Sequence, residues 1–399
     1  MSKLCDKKKI NLMMLLFATV YFTSYISRIN FGAVIEGIDG FTKDELSLAP
    51  TVAFITYGVG QLVSGVLGDR FNPKYLMCFG LLLTAAMNTL IPFCADASQM
   101  AAVWAVNGFA QSFMWPPLVK IMTILFDDDT YRTATVKVNR GSSIGTIAIY
   151  VVSFICLNTI GWKGVFAIPA IACLIMVVIW LYALRNVDTS VSKKKRDVEK
   201  KDDGMEKKHP FTLFALVAIV IGIVSQGALR DGITTWMPTF VNDNYNLGEA
   251  ISILTGVILP IFSIICFNIT LWLRNNKVRN EILLAGYIFV AGVMASVLLY
   301  ISLGVQPILS VFLMAVLAGS MHGVNLILVC MVPSYFKNAS TASGVLNAFT
   351  YIGSAISTYG IAFISKNYGW NITIAIWIGV AALGTVACLI AAKRKKPQW

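Results

Sequence analysis

Apolar runs long enough to cross a bilayer recur along the whole chain. They fall at 11–35, 47–67, 75–94, 101–125, 135–158 and 163–185, then at 211–240, 249–272, 281–302, 307–332, 339–365 and 370–392. A helix needs roughly 20 apolar residues to span the hydrocarbon core, where each backbone polar group must be bonded within its own segment. The pattern predicts an all-α polytopic membrane protein of twelve transmembrane helices. With 57% hydrophobic residues, 13% charged residues and a mean hydropathy of +0.72, such a chain would aggregate in water. The first run follows the charged start "MSKLCDKKKI" but continues to spanning length without a small-residue cleavage site, so it is read as a retained first helix.

The runs divide six and six around "RNVDTSVSKKKRDVEKKDDGMEKKH" (185–209), a charged segment without aromatics that cannot bury a core. The expected organisation is a six-helix bundle over 1–185, a charged cytoplasmic linker over 186–209 and a second six-helix bundle over 210–399. Lys and Arg gather at the N-terminal "KKK", in the 69–74 loop, in the linker, in the 274–279 loop and in the C-terminal "KRKK". The alternate loops are poor in them, so the positive-inside bias puts both termini in the cytoplasm of a cell membrane. Topology thus accounts for the formal net charge of +12, and no basic stripe interleaved with aromatics suggests nucleic acid. Of eight cysteines, Cys78, Cys94, Cys156, Cys173, Cys266, Cys330 and Cys388 stand singly in or beside apolar runs, without disulfide-framework or metal-ligand spacing. No metal or cofactor is expected. With no nucleophile triad or nucleotide loop visible, neither is an enzyme.

The two halves resemble each other. With an offset of 208 residues and no gap, 133–162 lies over 341–370, matching Thr133 with Thr341, Ala134 with Ala342, Asn139 with Asn347, Gly145 with Gly353, and Gly161-Trp162 with Gly369-Trp370. The fifth and eleventh spans are therefore equivalent, and the two bundles are expected to be pseudo-symmetric. The same symmetry pairs the first span with the seventh, and each carries an arginine, Arg28 in "SRINF" and Arg230 in "LRDGITTWMPTF".

An arginine at such a depth costs roughly 2.5–3.5 kcal/mol on the lenient insertion scale and cannot escape by deprotonating. A pair at pseudo-equivalent positions points to a binding site at the repeat interface, where a guanidinium fork can grip phosphate or carboxylate. The alternative is that each pairs with a nearby acid or snorkels to a membrane face, and Asp231 does sit beside Arg230. Tyr21, Tyr25 and Arg28 fall on one helical face, so two phenols are candidates to line the same cavity, or simply to pack there. Asn139, Ser142, Tyr351 and His322 are further polar candidates, each equally readable as a helix–helix hydrogen-bonding residue. His322 stands out because an imidazole changes charge near neutral pH.

The loop "GVLGDRFNPK" (65–74) resembles the signature loop of the major facilitator superfamily, implying the major facilitator fold. Gly65, Asp69, Arg70 and Lys74 would form its conformational latch, with Asp69 able to approach the positive end of a neighbouring helix. "SRINF", "DRFNPK", "GFAQSFMWPPLVKIM" and "LRDGITTWMPTF" together resemble the organophosphate:phosphate antiporters, which include the glycerol-3-phosphate and hexose-phosphate carriers. The resemblance covers nearly the whole chain. It implies Arg28 and Arg230 as phosphate ligands, with Tyr21, Tyr25 and Tyr351 as supporting contacts.

There are departures. Ile29 stands where the glycerol-phosphate carriers have a lysine, Ser142 where they have a histidine, and Gly227 where a second tyrosine is common. "WLRNNK" also stands where a second Asp-Arg latch would repeat. The expected activity is secondary active transport of a small organic anion, a phosphorylated metabolite exchanged for inorganic phosphate, by a monomer in the lipid bilayer. Two other readings remain open: proton-coupled organic-anion symport with Asp231 or His322 titrating, and a membrane sensor of a sugar phosphate that does not transport.

Overall fold

The computed structural model describes residues 6–34, 38, 40–41, 43–187, 189, 211–246 and 258–393, so the charged linker lies almost wholly outside the described residues. Twelve α-helices carry the described chain. They are α1 (Lys7–Val34), α2 (Lys43–Arg70), α3 (Pro73–Leu90), α4 (Ala97–Gln111), α5 (Trp115–Leu125), α6 (Asp128–Thr159), α7 (Gly164–Ala183), α8 (Leu213–Tyr245), α9 (Ile258–Asn276), α10 (Glu281–Ile301), α11 (Pro307–Asn325) and α12 (Ala339–Lys393). Ten segments among the described residues are long and apolar enough to cross a membrane. Large apolar side chains such as Phe154, Val178, Trp272 and Ile301 are exposed. That much exposed apolar surface is stable only where lipid covers it.

Polar side chains start the helices. Asn72 accepts from Lys74 N at 3.1 Å with Pro73 at the first position of α3, Asp127 accepts from Thr130 N at 2.8 Å ahead of α6, and Thr212 caps α8 through Ala215 N at 3.2 Å. Each satisfies a donor that the first turn leaves open.

The expected single span over 101–125 is two helices, α4 and α5, separated by a turn over 112–114. The reason is local. Pro116 has no N–H with which to continue the ladder to the Ser112 carbonyl. That carbonyl instead accepts from the Ser64 hydroxyl of α2 at 2.8 Å. Conversely, the spans expected over 339–365 and 370–392 form one hydrogen-bonded run, α12, divided at Gly369, whose φ of 84° and ψ of 172° are not helical. The tenth span ends in a buried π-helical turn, Leu326–Met331.

Two compact units emerge, each counted over its described residues: Met1–Lys208 with Pro333–Ala348, and His209–Val332 with Phe349–Trp399. The first turns of α12 thus pack with the first unit and the remainder with the second. In the first unit, Phe31 and Trp104 stack at 5.2 Å and both meet Phe166 at 5.8 Å. In the second, Trp370 meets Phe240 edge-on at 5.1 Å, and its Nε1 donates to Asp243 at 3.1 Å.

The internal repeat is visible inside each unit. Gly161 and Gly369, aligned in sequence, both adopt left-handed φ, 79° and 84°. Gly145 of α6 lies against α1, where an added Cβ would stand 2.9 Å from the Phe22 carbonyl oxygen. Its partner Gly353 of α12 lies against α8, where an added Cβ would strike the Val224 carbonyl. Phe22 precedes Arg28 by six residues, and Val224 precedes Arg230 by six. The two arginines therefore stand in the same register relative to equivalent helix crossings.

Candidate anion-binding site

In the first unit α1 turns Tyr21, Tyr25 and Arg28 onto one face, with the tyrosine rings 5.2 Å apart and the Arg28 guanidinium 5.5 Å from the Tyr25 centroid. The shortest aromatic contact comes from α2: the guanidinium lies 4.0 Å from the ring centroid of Tyr57, with Phe54 at 6.0 Å. A cation over an aromatic face gains about 0.5–2 kcal/mol, more as the pair is desolvated, which offsets part of the cost of a half-buried arginine in a membrane. Tyr57 was not legible as a site residue, because a lone tyrosine in an apolar run has no motif and its partner is on another helix. Trp115, at the start of α5, lies in the Trp-Pro-Pro motif but was not singled out as a site residue; its ring is 5.3 Å from that of Tyr21.

Behind this face a buried polar network holds α1 in place. The Ser24 hydroxyl donates to Gln111 Oε1 at 2.5 Å, and Gln111 Nε2 reaches Ser27 Oγ at 3.1 Å and Thr84 Oγ1 at 3.2 Å. Asn88 Nδ2 donates to the Ser27 carbonyl at 3.1 Å, and Asn30 Nδ2 donates to Asn88 Oδ1 at 2.7 Å. The network pins α1 to α3 and α4 and so fixes which face carries Arg28. Asn139 and Ser142 lie on α6 beside α1, both buried. Asn139 Nδ2 donates to the Thr135 carbonyl at 2.9 Å and the Ser142 hydroxyl to the Asn139 carbonyl at 2.7 Å.

In the second unit an acid lies beside the arginine. Arg230 Nε and Nη2 donate to the two oxygens of Asp231 at 2.7 and 2.9 Å, a bidentate pair between chain neighbours. Asp231 also accepts from the Ser354 hydroxyl of α12 at 2.5 Å. Tyr351 is half-buried three residues before Ser354 on the same helix, and His322 of α11 stands edge-on to Phe267 at 5.8 Å. The position equivalent to Tyr25 is Gly227, and there a Cβ would strike the Thr350 carbonyl. A tyrosine has no room at that crossing.

The 65–74 loop is held within the first unit. Asp69 accepts from Thr341 N in the first turn of α12 at 2.7 Å and pairs with Lys120 Nζ at 2.8 Å. Gly65 lets the chain at Ser340 come close, since an added Cβ would lie 2.9 Å from that carbonyl oxygen. Arg70 is exposed, whereas Lys74 is buried and donates to the Leu184 carbonyl just beyond α7 at 3.2 Å, the end of a helix that favours a cation. A groove of about 330 Å³ between α2 and α4, lined by Ile55, Val59, Val106 and Phe109 among others, is apolar and distant in character from this chemistry. It reads as a lipid-facing furrow. Among the described residues no His, Cys, Asp and Glu group is arranged to hold a metal ion, and the seven described cysteines are free thiols.

The family model of the Major Facilitator Superfamily matches residues 14–358. The chain belongs to that superfamily. It is a multi-pass membrane protein, with ten candidate spans among the described residues. A solved superfamily structure, the proton:xylose symporter XylE bound to 6-bromo-6-deoxy-D-glucose, superposes with a TM-score of 0.72 over 98% of this chain and 96% of its own, at 12% identity. That likeness concerns the fold alone. Among curated relatives, the probable hexose phosphate transport protein of Chlamydia muridarum is 24% identical over 88% of this superfamily member and 82% of the relative. The glycerol-3-phosphate transporter of Bacillus subtilis is 25% identical over 87% and 84%. The membrane sensor protein UhpC of Escherichia coli is 21% identical over 91% and 88%. These relatives are transporters and a sensor, not enzymes.

Proposed function

We propose that this facilitator is a secondary active transporter of a small phosphorylated metabolite, exchanged for inorganic phosphate by alternating access in the cell membrane, with both termini cytoplasmic. Arg28 and Arg230 act as the anion's principal ligands, supported by Tyr21, Tyr25, Tyr57 and Tyr351. The observation that carries the reading is the matched register of the two arginines, each six residues beyond the carbonyl against which a repeat-equivalent glycine packs. Relatives named for hexose phosphate and glycerol-3-phosphate transport supply the substrate class. Binding energy that differs between states is what moves an alternating-access equilibrium. Asp69, engaged with Lys120 and the first turn of α12, acts as the latch that such a change releases.

The test is exchange in proteoliposomes loaded with labelled phosphate, with external phosphate or a panel of sugar and glycerol phosphates, for the parent, Arg28→Lys and Arg230→Lys. Exchange by the parent that both substitutions abolish is expected, because lysine lacks the bidentate fork. A folded parent that exchanges nothing would sink the reading. A second reading, sensing without transport, is favoured by the similarity to UhpC, and binding without counterflow would select it. The Arg230–Asp231 pair favours a third, proton-coupled symport of an organic anion, which dependence on a proton gradient would reveal.

A further inference from the structure

The two arginines share a register, and the surroundings of each are distinctive. Arg28 lies against aromatic faces, which stabilise a cation without cancelling its charge. Arg230 is gripped through Nε and Nη2 by the carboxylate of Asp231, which is itself anchored by the Ser354 hydroxyl from the neighbouring helix. The side chains of the pair are only 12% and 28% exposed, so solvent screens it little. A carboxylate bonded to a guanidinium edge in this way has the geometry of a carboxylate or phosphate ligand.

We propose that Asp231 is a resident counter-anion that sets the charge the second unit accepts: with Asp231 in place, Arg230 favours a monoanion over a dianion. This deepens the anion-transport reading above and rests on it. In the empty site the carboxylate pairs with the Arg230 cation within the membrane. In the occupied site it stands beside the bound anion, where each further negative charge on the ligand adds repulsion. Ser354 is a positioning residue that keeps the carboxylate on the guanidinium.

The experiment compares methyl phosphate, a dianion at pH 8, with dimethyl phosphate, a monoanion of similar shape. Thermal stabilisation of the purified full-length protein by each ligand gives its dissociation constant without requiring transport. Asp231→Asn, which keeps the shape and a carbonyl acceptor, should shift the preference toward the dianion by about tenfold or more, whereas Asp231→Glu, which keeps the charge, should leave it near the parent's. A purely structural role would change both constants together. An unchanged ratio in Asp231→Asn, or no stabilisation of either protein by either ligand, overturns the proposal. A shifted ratio in a parent that exchanges no phosphate would sustain the charge role of Asp231 while discarding phosphate antiport.

Discussion

The guanidinium of Arg28 lies 4.0 Å from the ring centroid of Tyr57, a contact between α1 and α2. The aromatic face, not the hydroxyl, makes it. Tyr57→Phe should therefore keep most phosphate affinity, while Tyr57→Leu should weaken it by roughly 2- to 30-fold, the range of a cation–π contribution. Concentration dependence of labelled-phosphate counterflow measures this, and equal effects from both substitutions would refute it.

Close helix crossings should not tolerate a side chain. Gly227→Ala and Gly353→Ala would drive a Cβ into the Thr350 and Val224 carbonyls, and overpacking of this kind costs about 1–3 kcal/mol. Both variants should lower the Tm of the purified protein. Gly379→Ala on the same long helix as Gly353 meets nothing within 4 Å, and it should leave the Tm unchanged or raise it.

Asp69 serves two partners with two oxygens. Asp69→Asn retains an acceptor for Thr341 N but loses the charge that meets Lys120, whereas Asp69→Ala loses both. Removing one member of a buried ion pair typically costs about 3–5 kcal/mol, because the remaining charge is left uncompensated. The expected order of exchange rate is parent, then Asn, then Ala, with the phosphate dissociation constant little changed. A variant that loses binding in proportion to rate would assign Asp69 to the site instead of the latch.

Gln111 bridges Ser24, Ser27 and Thr84 from α4. Gln111→Leu should destabilise the fold, at roughly 1–3 kcal/mol for each polar group stranded without a partner. The accompanying sign is loss of Arg28-dependent binding, since α1 would be free to rotate about its axis. Equilibrium binding of methyl phosphate alongside a thermal melt separates the two effects.

Much of the architecture was written in hydropathy, because a bilayer imposes a length and a polarity that each span must meet locally. Helix starts lay within two residues of the expected ones where Asn72 and Thr212 cap, whereas the helix capped by Asp127 begins seven residues before the expected 135, because its first two turns are polar. The reading erred at 101–125, where the doubled proline interrupts a run that looks continuous by apolarity alone. The repeat was also legible, since it rests on residue identity, and its glycines proved to sit at crossings and at the left-handed Gly161 and Gly369.

What the sequence determined by itself was therefore the spans, the duplication, and the placing of one arginine in each half, along with Tyr21 and Tyr25 on the Arg28 face. What only the tertiary structure decided was what surrounds those arginines. Tyr57, Trp115 and the Gln111 network reach α1 from other helices, and Ser354 comes to Asp231 across more than a hundred residues of chain. Helical periodicity fixes which residues share a face, but it carries no information about which other helix that face will meet. Packing between segments is what lays Tyr57 against Arg28 and brings Ser354 to the carboxylate that holds Arg230.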